Sequence, residues 1–284
     1  MLAGIELGGT KTVVAVAGVA GEIAEQYRFA STEPEKTLDV AMDWLSQRGV
    51  VSRLGVAAFG PVSVNEARED YGCILNTPKE GWSGFNLMGY LEAGLSGAEL
   101  VLDTDVNAAV LAEVKSGAAR GFENVAYITI GTGIGAGFFV DGKLLHGAVH
   151  SEFGHLRVPR HPDDSFEGVC PFHGDCLEGL ASGTAIGKRW GTAGDEIPFH
   201  ERAWDIEAWY LAHGIQSMLA VTNPSRVIIG GGVSQVTGFH VKVEAILREI
   251  AGGYFTVLEE TKNYVVAPVL GQNAGIQGAL LLAQ

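Results

Sequence analysis

At 284 residues the chain is long enough for two packed lobes, because a single hydrophobic core seldom grows beyond about 250 to 300 residues. Apolar residues make up 47% and charged residues 18%, a composition that excludes intrinsic disorder. A net charge of −14 argues against nucleic acid as a partner, and no run of about 20 apolar residues is present to span a membrane. With no charged leader before an apolar segment, a soluble, cytoplasmic protein is expected.

In chain order, residues 2–18 and 22–29 read as a strand meander whose first turn is Gly8-Gly9-Thr10-Lys11. Lys36–Gln47 reads as a helix with Leu38, Met42 and Leu45 on one face, and Leu54–Ala58 as a strand stopped by Gly60-Pro61, where a chain turns at a cleft. Leu87–Gly94 is a helix. Glu99–Leu102 is a strand that leads through Asp103-Thr104-Asp105-Val106-Asn107 into the helix Ala108–Ser116, so Asp105 falls at a strand-to-helix junction. Ala126–Val140 repeats the opening design as a hairpin with Gly131-Thr132-Gly133-Ile134-Gly135 at its tip. A polar segment, 146–187, precedes helices across Trp204–Leu219 and the strand Arg226–Ile229, which ends in Gly230-Gly231-Gly232. The helix Phe239–Ile250, the strand Tyr264–Ala267 and the helix Ala274–Leu282 complete the chain. The expected division is a small lobe of residues 1–115 plus 265–284, the last strand and helix returning to it, and a large lobe of 116–264.

The 40 glycines cluster in turns, which points to backbone contact with a ligand. Glycine tolerates positive φ and lets a ligand approach the amides, threonine adds a hydroxyl and lysine a charge, so such turns suit phosphates. Neither hairpin fits a P-loop or Rossmann spacing, and either could be an ordinary glycine hairpin. Gly8, Gly9, Thr10 and Lys11, then Gly131, Thr132 and Gly133, then Gly230, Gly231 and Gly232, all follow strands and are the candidate nucleotide contacts. One hairpin in each lobe suggests a nucleotide held between them. In so acidic a chain the positive field for ATP must come from Lys11, backbone amides and metal ions.

Phosphoryl transfer to an alcohol needs a carboxylate to accept the hydroxyl proton. Asp105 is the candidate, with Asn107 two residues on as a hydrogen-bonding partner for hydroxyls; the competing reading of Asp105 is a helix N-cap. Asp103 reads as an ordinary cap or metal-side carboxylate. Glu152 and Glu178 could each take two sugar hydroxyls, or be solvated acids. His155, Cys170, His173 and Cys176 supply the two imidazoles and two thiolates of a closed, structural Zn²⁺ site, against a loop with incidental polar residues. A DNA-binding zinc ribbon is opposed by the acidity of the chain. His146, His150 and His161 read as surface or supporting histidines and Cys73 as a buried apolar side chain.

Together these residues resemble the ROK family of sugar kinases, of the actin-like ATPase superfamily, over essentially the whole chain. The resemblance is carried by Leu7-Gly8-Gly9-Thr10-Lys11, Asp105-Val106-Asn107-Ala108-Ala109, Gly131-Thr132-Gly133-Ile134-Gly135, Glu152-Phe153-Gly154-His155 and Cys176-Leu177-Glu178. It implies an α/β, two-lobed actin-like (ribonuclease H-like) fold with a zinc-binding loop, phosphates on the first two glycine turns, and Asp105 as catalytic base. It further implies that Glu152, His155 and Glu178 hold sugar hydroxyls, that His155 also binds zinc, and that the chain forms a homodimer using ATP and Mg²⁺. Glu6, Asp103-Thr104 before the base, Asn76-Thr77-Pro78-Lys79 with Gly81-Trp82, and histidine in the middle of the metal segment resemble the bacterial fructokinase branch, which places Gly60, Asn76, Thr77 and Pro78 at the sugar. A carboxylate as long as Glu6 would reach Mg²⁺ through water. The expected reaction is D-fructose to fructose 6-phosphate, with a glucokinase, mannokinase or N-acetylhexosamine kinase as rivals. A sugar-sensing regulator would carry a DNA-binding segment before the first glycine turn, where this sequence has seven residues. A catalytically silent protein is opposed by Asp105 and both turns.

Overall fold

Ala3, Ile5 and Leu7 alternate with Gly4 and Glu6, and the period of two sends each set to its own face of a sheet. The computed structural model describes residues 1–284 and divides into two units: Met1–Lys115 with Leu144–Ser151 and Asn273–Gln284, and Ser116–Lys143 with Glu152–Gln272.

The first unit comprises β1 (Leu2–Leu7), β2 (Lys11–Ala17), β3 (Ile23–Ala30), α1 (Pro34–Ser46), β4 (Arg53–Ala58), α2 (Leu87–Gly94), β5 (Glu99–Thr104) and α3 (Asp105–Ser116). Its five-stranded sheet has the order β3-β2-β1-β4-β5, with β1 antiparallel to β2 and parallel to β4, and β4 parallel to β5. Ala3, Ile5, Leu7, Val14, Val56 and Ala58 pack with Leu38, Leu45 and Trp82 on one face. Val13, Ala15 and Ala57 pack on the other with Ala108, Ile276, Ala279 and Leu280. Burying both faces explains why these strands read as nearly continuous apolar runs.

In the second unit β6 (Val125–Ile130), β7 (Ile134–Val140) and β8 (Lys143–Leu144), whose last residue begins the stretch counted with the first unit, precede α4 (Leu177–Ala181), α5 (Gly183–Trp190) and α6 (Ala203–Val221). Then come β9 (Arg226–Gly230), α7 (Phe239–Ala251), α8 (Thr256–Glu260) and β10 (Val265–Val266). The sheet order is β10-β9-β6-β7-β8. Ala126, Ile128, Ile130, Val227 and Ile229 face Ile206, Tyr210, Ile215, Val243 and Leu247.

The chain closes with α9 (Ala274–Leu282), which returns to the first unit and lies directly on β1 and β4. Contact is so close that a Cβ on Gly55 of β4 would overlap the carbonyl oxygen of Ala279, and one on Gly278 would overlap that of Ala108 in α3. Glycine there serves packing.

The sequence-based boundary needs two corrections. Residues 265–272 stay in the second unit, because Val265 and Val266 pair in parallel with Val227 and Ile228 of β9; only the terminal helix and its lead-in return. Residues 144–151 belong to the first unit, where His150 Nε2 accepts the Val62 N–H at 3.0 Å and His146 meets Asp103. Cys73 is half-buried, not buried as expected.

Candidate active site

Strand register sets the site of the first unit. Leu7 of β1 lies beside Ala58 of β4, and Ala58 beside Thr104 of β5. The next residues on these three parallel strands, Gly8, Phe59 and Asp105, therefore leave the sheet side by side at its carboxyl edge, where open α/β sheets bind ligands.

The first turn is drawn inward through its carbonyl oxygens. Ser31 Oγ donates to the Gly8 carbonyl at 2.8 Å, the Ser31 N–H to that of Thr10 at 3.0 Å, and Lys79 Nζ to that of Gly9. Gly8 N–H closes the turn on the Lys11 carbonyl at 3.0 Å, which leaves the N–H groups of Gly9 and Thr10 without an acceptor in the chain. Two successive unpaired amides form an anion nest. The expected positive φ is not used by Gly8 or Gly9; Gly9 is open, with nothing within 4 Å of where a Cβ would stand, so its value lies in ligand approach.

Below this turn, Glu6 accepts the Ile276 N–H at the start of α9, while its Oε2 is buried without a partner. Burial raises the Glu6 carboxyl above the usual carboxylate range, with Lys11 and Arg28 pulling it back. A lone hard oxygen of this kind fits a water-mediated Mg²⁺ contact. Asp103 does not: Oδ1 accepts from the Thr104 N–H at 2.7 Å and from Asn107 Nδ2 at 2.9 Å, and Oδ2 lies 2.8 Å from His146 Nε2. The reading of Asp103 as a metal-side carboxylate is thereby corrected.

Thr104 is the cap of α3, its Oγ1 accepting the Asn107 N–H at 3.1 Å. Asp105 is instead the first helical residue, partly exposed, with Oδ1 accepting the Val106 N–H at 2.9 Å. Asn107 is only 3% exposed, its amide held by Asp103. Gly60 begins a cis Gly60-Pro61 bond, and the Pro61 carbonyl accepts the Leu75 N–H at 2.7 Å, which ties the loop bearing Asn76, Thr77 and Pro78 to the end of β4. Asn76 and Pro78 are exposed and Thr77 partly so.

The second unit repeats the turn chemistry. Gly131 N–H closes on the Gly133 carbonyl at 2.9 Å, the Gly131 carbonyl takes the Gly183 N–H at 2.7 Å, and the Thr132 carbonyl takes Thr184 Oγ1 at 2.8 Å. The N–H groups of Thr132 and Gly133 again have no acceptor in the chain. Glu178 Oε2 accepts the next N–H, of Ile134, at 3.0 Å, so this carboxylate is fixed against the turn and does not offer both oxygens outward as expected. At the third turn, a Cβ on Gly230 would overlap Tyr127 and one on Gly231 the Ile130 carbonyl; Gly232 alone faces open space.

His155, Cys170, His173 and Cys176 converge, their ligand atoms all within 4.8 Å of one another. His155 Nδ1 lies 3.2 Å from His173 Nδ1, 3.5 Å from Cys176 Sγ and 3.7 Å from Cys170 Sγ. A tetrahedral zinc with its usual bond lengths sets N···N and N···S edges of roughly 3.4 and 3.6 Å, so the donors fit that ion. His155 Nε2 points toward Glu152, 3.9 Å away, which leaves one ring able to serve metal and sugar from different nitrogens. Cys176 immediately precedes α4, so the metal loop also fixes Glu178 two residues on.

The ROK family profile matches residues 2–284. The chain belongs to the ROK family. It is 40% identical over 287 residues to a fructokinase of Zymomonas mobilis, covering 98% of this chain and 95% of that one. A fructokinase of Pediococcus pentosaceus is 37% identical over 287 residues, with 100% and 98% covered. A solved ROK glucokinase of Streptomyces griseus, in complex with glucose and AMPPNP, matches with a TM-score of 0.76 at 26% identity, covering 99% of this chain and 98% of that one. The protein is an ATP-dependent hexose kinase of this family, with the expected α/β fold and a His/Cys cluster resembling the family's zinc-binding loop. No helix is long and apolar enough to cross a membrane.

Three features of this ROK kinase were missed by sequence reasoning. Thr104 carries no signal apart from being a threonine before the helix, and it decides the role of Asp105. His146, read as a surface or supporting histidine without a named partner, pairs with Asp103, whose hydrogen bond raises its pKa against the lowering by burial. Lys79 was noticed only as part of a loop and turns out to hold the first glycine turn.

Proposed function

We propose that this kinase transfers the γ-phosphoryl group of ATP to D-fructose, giving fructose 6-phosphate, with Asp105 as general base. The observation that carries the reading is the placement of Asp105: one strand separates it from the first glycine turn along the sheet edge, and Thr104 has taken the capping role. Asp105 accepts the proton of the primary hydroxyl as that oxygen attacks phosphorus and the β-phosphate oxygen departs with ADP. The amides of Gly9, Thr10, Thr132 and Gly133, with Lys11, Gly8, Gly131 and Gly232, steady the phosphates. Glu6 would hold Mg²⁺ through water, and the ion would supply positive charge to offset that of the phosphates. Asn76, Thr77, Pro78, Gly60 and Asn107 from the first unit, and Glu152, His155 and Glu178 from the second, are assigned to the sugar. Zinc on His155, Cys170, His173 and Cys176 is structural, since four protein ligands leave no open position.

Fructose as acceptor is supported by the fructokinases among the relatives; the glucose carried by the Streptomyces griseus structure keeps glucose and mannose as the alternative. The reduced thiols of the metal set suit a cytoplasmic location, and the family resemblance supports a homodimer. A coupled ATP-consumption assay across fructose, glucose, mannose and N-acetylmannosamine tests the reading. Fructose should be among the best substrates; a clear preference for an aldose would reject the fructokinase assignment and leave the hexose kinase intact.

A further inference from the structure

Lys79 is anchored by more of its loop than its sequence neighbourhood suggests. Ile74 N–H donates to the Phe85 carbonyl and Gly84 N–H to that of Ile74, both at 2.9 Å, while Trp82 Nε1 donates to the Thr32 carbonyl at 2.7 Å just before α1. This closed loop lays the Lys79 ammonium over two touching aromatic rings, with Nζ 4.9 Å from the Phe59 centroid and 5.1 Å from that of Trp82, and onto the Gly9 carbonyl. An ammonium has three donors. One is used by Gly9; the other two find no acceptor in the chain, and no carboxylate lies within ion-pair distance. Lys36 pairs with Glu33 and Lys242 with Asp205, while Lys11, Lys115, Lys143, Lys188 and Lys262 are exposed to water.

A half-buried cation without a counter-ion is unfavourable in any protein and stands out in a chain of net charge −14. Its surroundings name the missing partner. The turn that Lys79 grips through the Gly9 carbonyl also carries the unpaired Gly9 and Thr10 amides, so one turn holds both an ammonium and amides with donors to spare for an anion. We propose that Lys79 is a further catalytic residue, donating to the transferred phosphoryl group of ATP and stabilising the charge on its oxygens as it moves to the sugar. Burial pulls the Lys79 ammonium down to about 8, so it remains largely protonated at neutral pH while gaining from an incoming anion. Because Lys79 follows Asn76, Thr77 and Pro78 directly, the loop assigned to the acceptor sugar also carries a contact to the donor phosphate.

The inference rests on the kinase reading above, and the experiment separates the two. Calorimetry on the full chain with Mg²⁺ compares ADP with AMPPNP, which differ at the γ position, for wild type, Lys79→Met and Lys79→Arg. Loss of a charge-assisted hydrogen bond should weaken AMPPNP about 10- to 100-fold in Lys79→Met, with ADP affinity kept within about twofold and kcat reduced at saturating hexose. Lys79→Arg should retain most of the AMPPNP affinity. Equal weakening of ADP and AMPPNP would show a brace for the turn and overturn the proposal, as would no change in either. Should Lys79→Met fail to fold, Lys79→Gln is read in the same way. A wild-type protein that binds no AMPPNP and phosphorylates no hexose would remove the kinase reading itself, and the Lys79 role with it.

Discussion

The two sheets follow one plan. In β3-β2-β1-β4-β5 and β8-β7-β6-β9-β10 the antiparallel pair β1–β2 corresponds to β6–β7, and the parallel pairs β1–β4 and β4–β5 to β6–β9 and β9–β10. Each has a glycine turn after its central strand, carbonyls tied inward and two amides unpaired. The difference lies at the strand that ends the series. β5 runs six residues and delivers Asp105 at the head of α3, whereas β10 runs two and gives way to Ala267-Pro268, with no carboxylate. The second unit instead carries the segment from Glu152 to α4, with the metal ligands, and Glu178 in the first turn of α4. Shared turns thus go with unshared surroundings: a carboxylate at the head of a helix in one unit, a His/Cys cluster next to the helix that carries Glu178 in the other.

The sharpest way to break that division is Asp105→Asn, which should lower kcat by about 10²- to 10⁴-fold with little change in melting temperature, measured by coupled assay and thermal unfolding. Cys176→Ser comes next. It should reduce bound zinc from about one per chain to near none by metal analysis and destabilise the second unit by about 3 kcal/mol or more, because the donors left behind no longer close a tetrahedron. Gly133→Ala probes the fixed carboxylate. An added Cβ would stand 2.5 Å from Glu178 Oε2, so the carboxylate must move, and the sugar KM should rise about tenfold while the same change at the open Gly9 leaves sugar KM near wild type.

His146 gives the smallest expected effect and the clearest sign. Its pKa is raised in the fold by Asp103, with Asn107 Nδ2 3.4 Å away as the other facing group. The stabilisation is therefore full below the unfolded histidine value of about 6.5 and is lost as pH rises through the higher folded value. His146→Gln should melt below wild type most clearly at about pH 6, the gap narrowing with rising pH; a gap that widens toward alkaline pH would reject the pairing.

Much of this was legible in the sequence because its signals are local. Both glycine turns, the Asp105 junction and the last three metal ligands each lie within a few consecutive residues. Long-range pairing was not. Lys79 meets Gly9 across 70 residues and His146 meets Asp103 across 43, and neither pair has a period or spacing to announce it. The two-residue β10 looked like a return to the first lobe because the helix after it does return, and only its pairing with β9 shows otherwise. Glycine was legible as a residue and not as a reason: open approach at Gly9, close packing at Gly55 and Gly230, and positive φ at Gly231 need coordinates to separate.

The most direct test of the division between the units is a rapid-quench, single-turnover measurement of phosphoryl transfer from ATP to saturating fructose in Asp105→Asn and Glu178→Gln. The account predicts that Asp105→Asn slows transfer at least about 100-fold while binding fructose, and that Glu178→Gln needs more fructose yet transfers near the wild-type rate once saturated. Near-wild-type transfer in Asp105→Asn would contradict it.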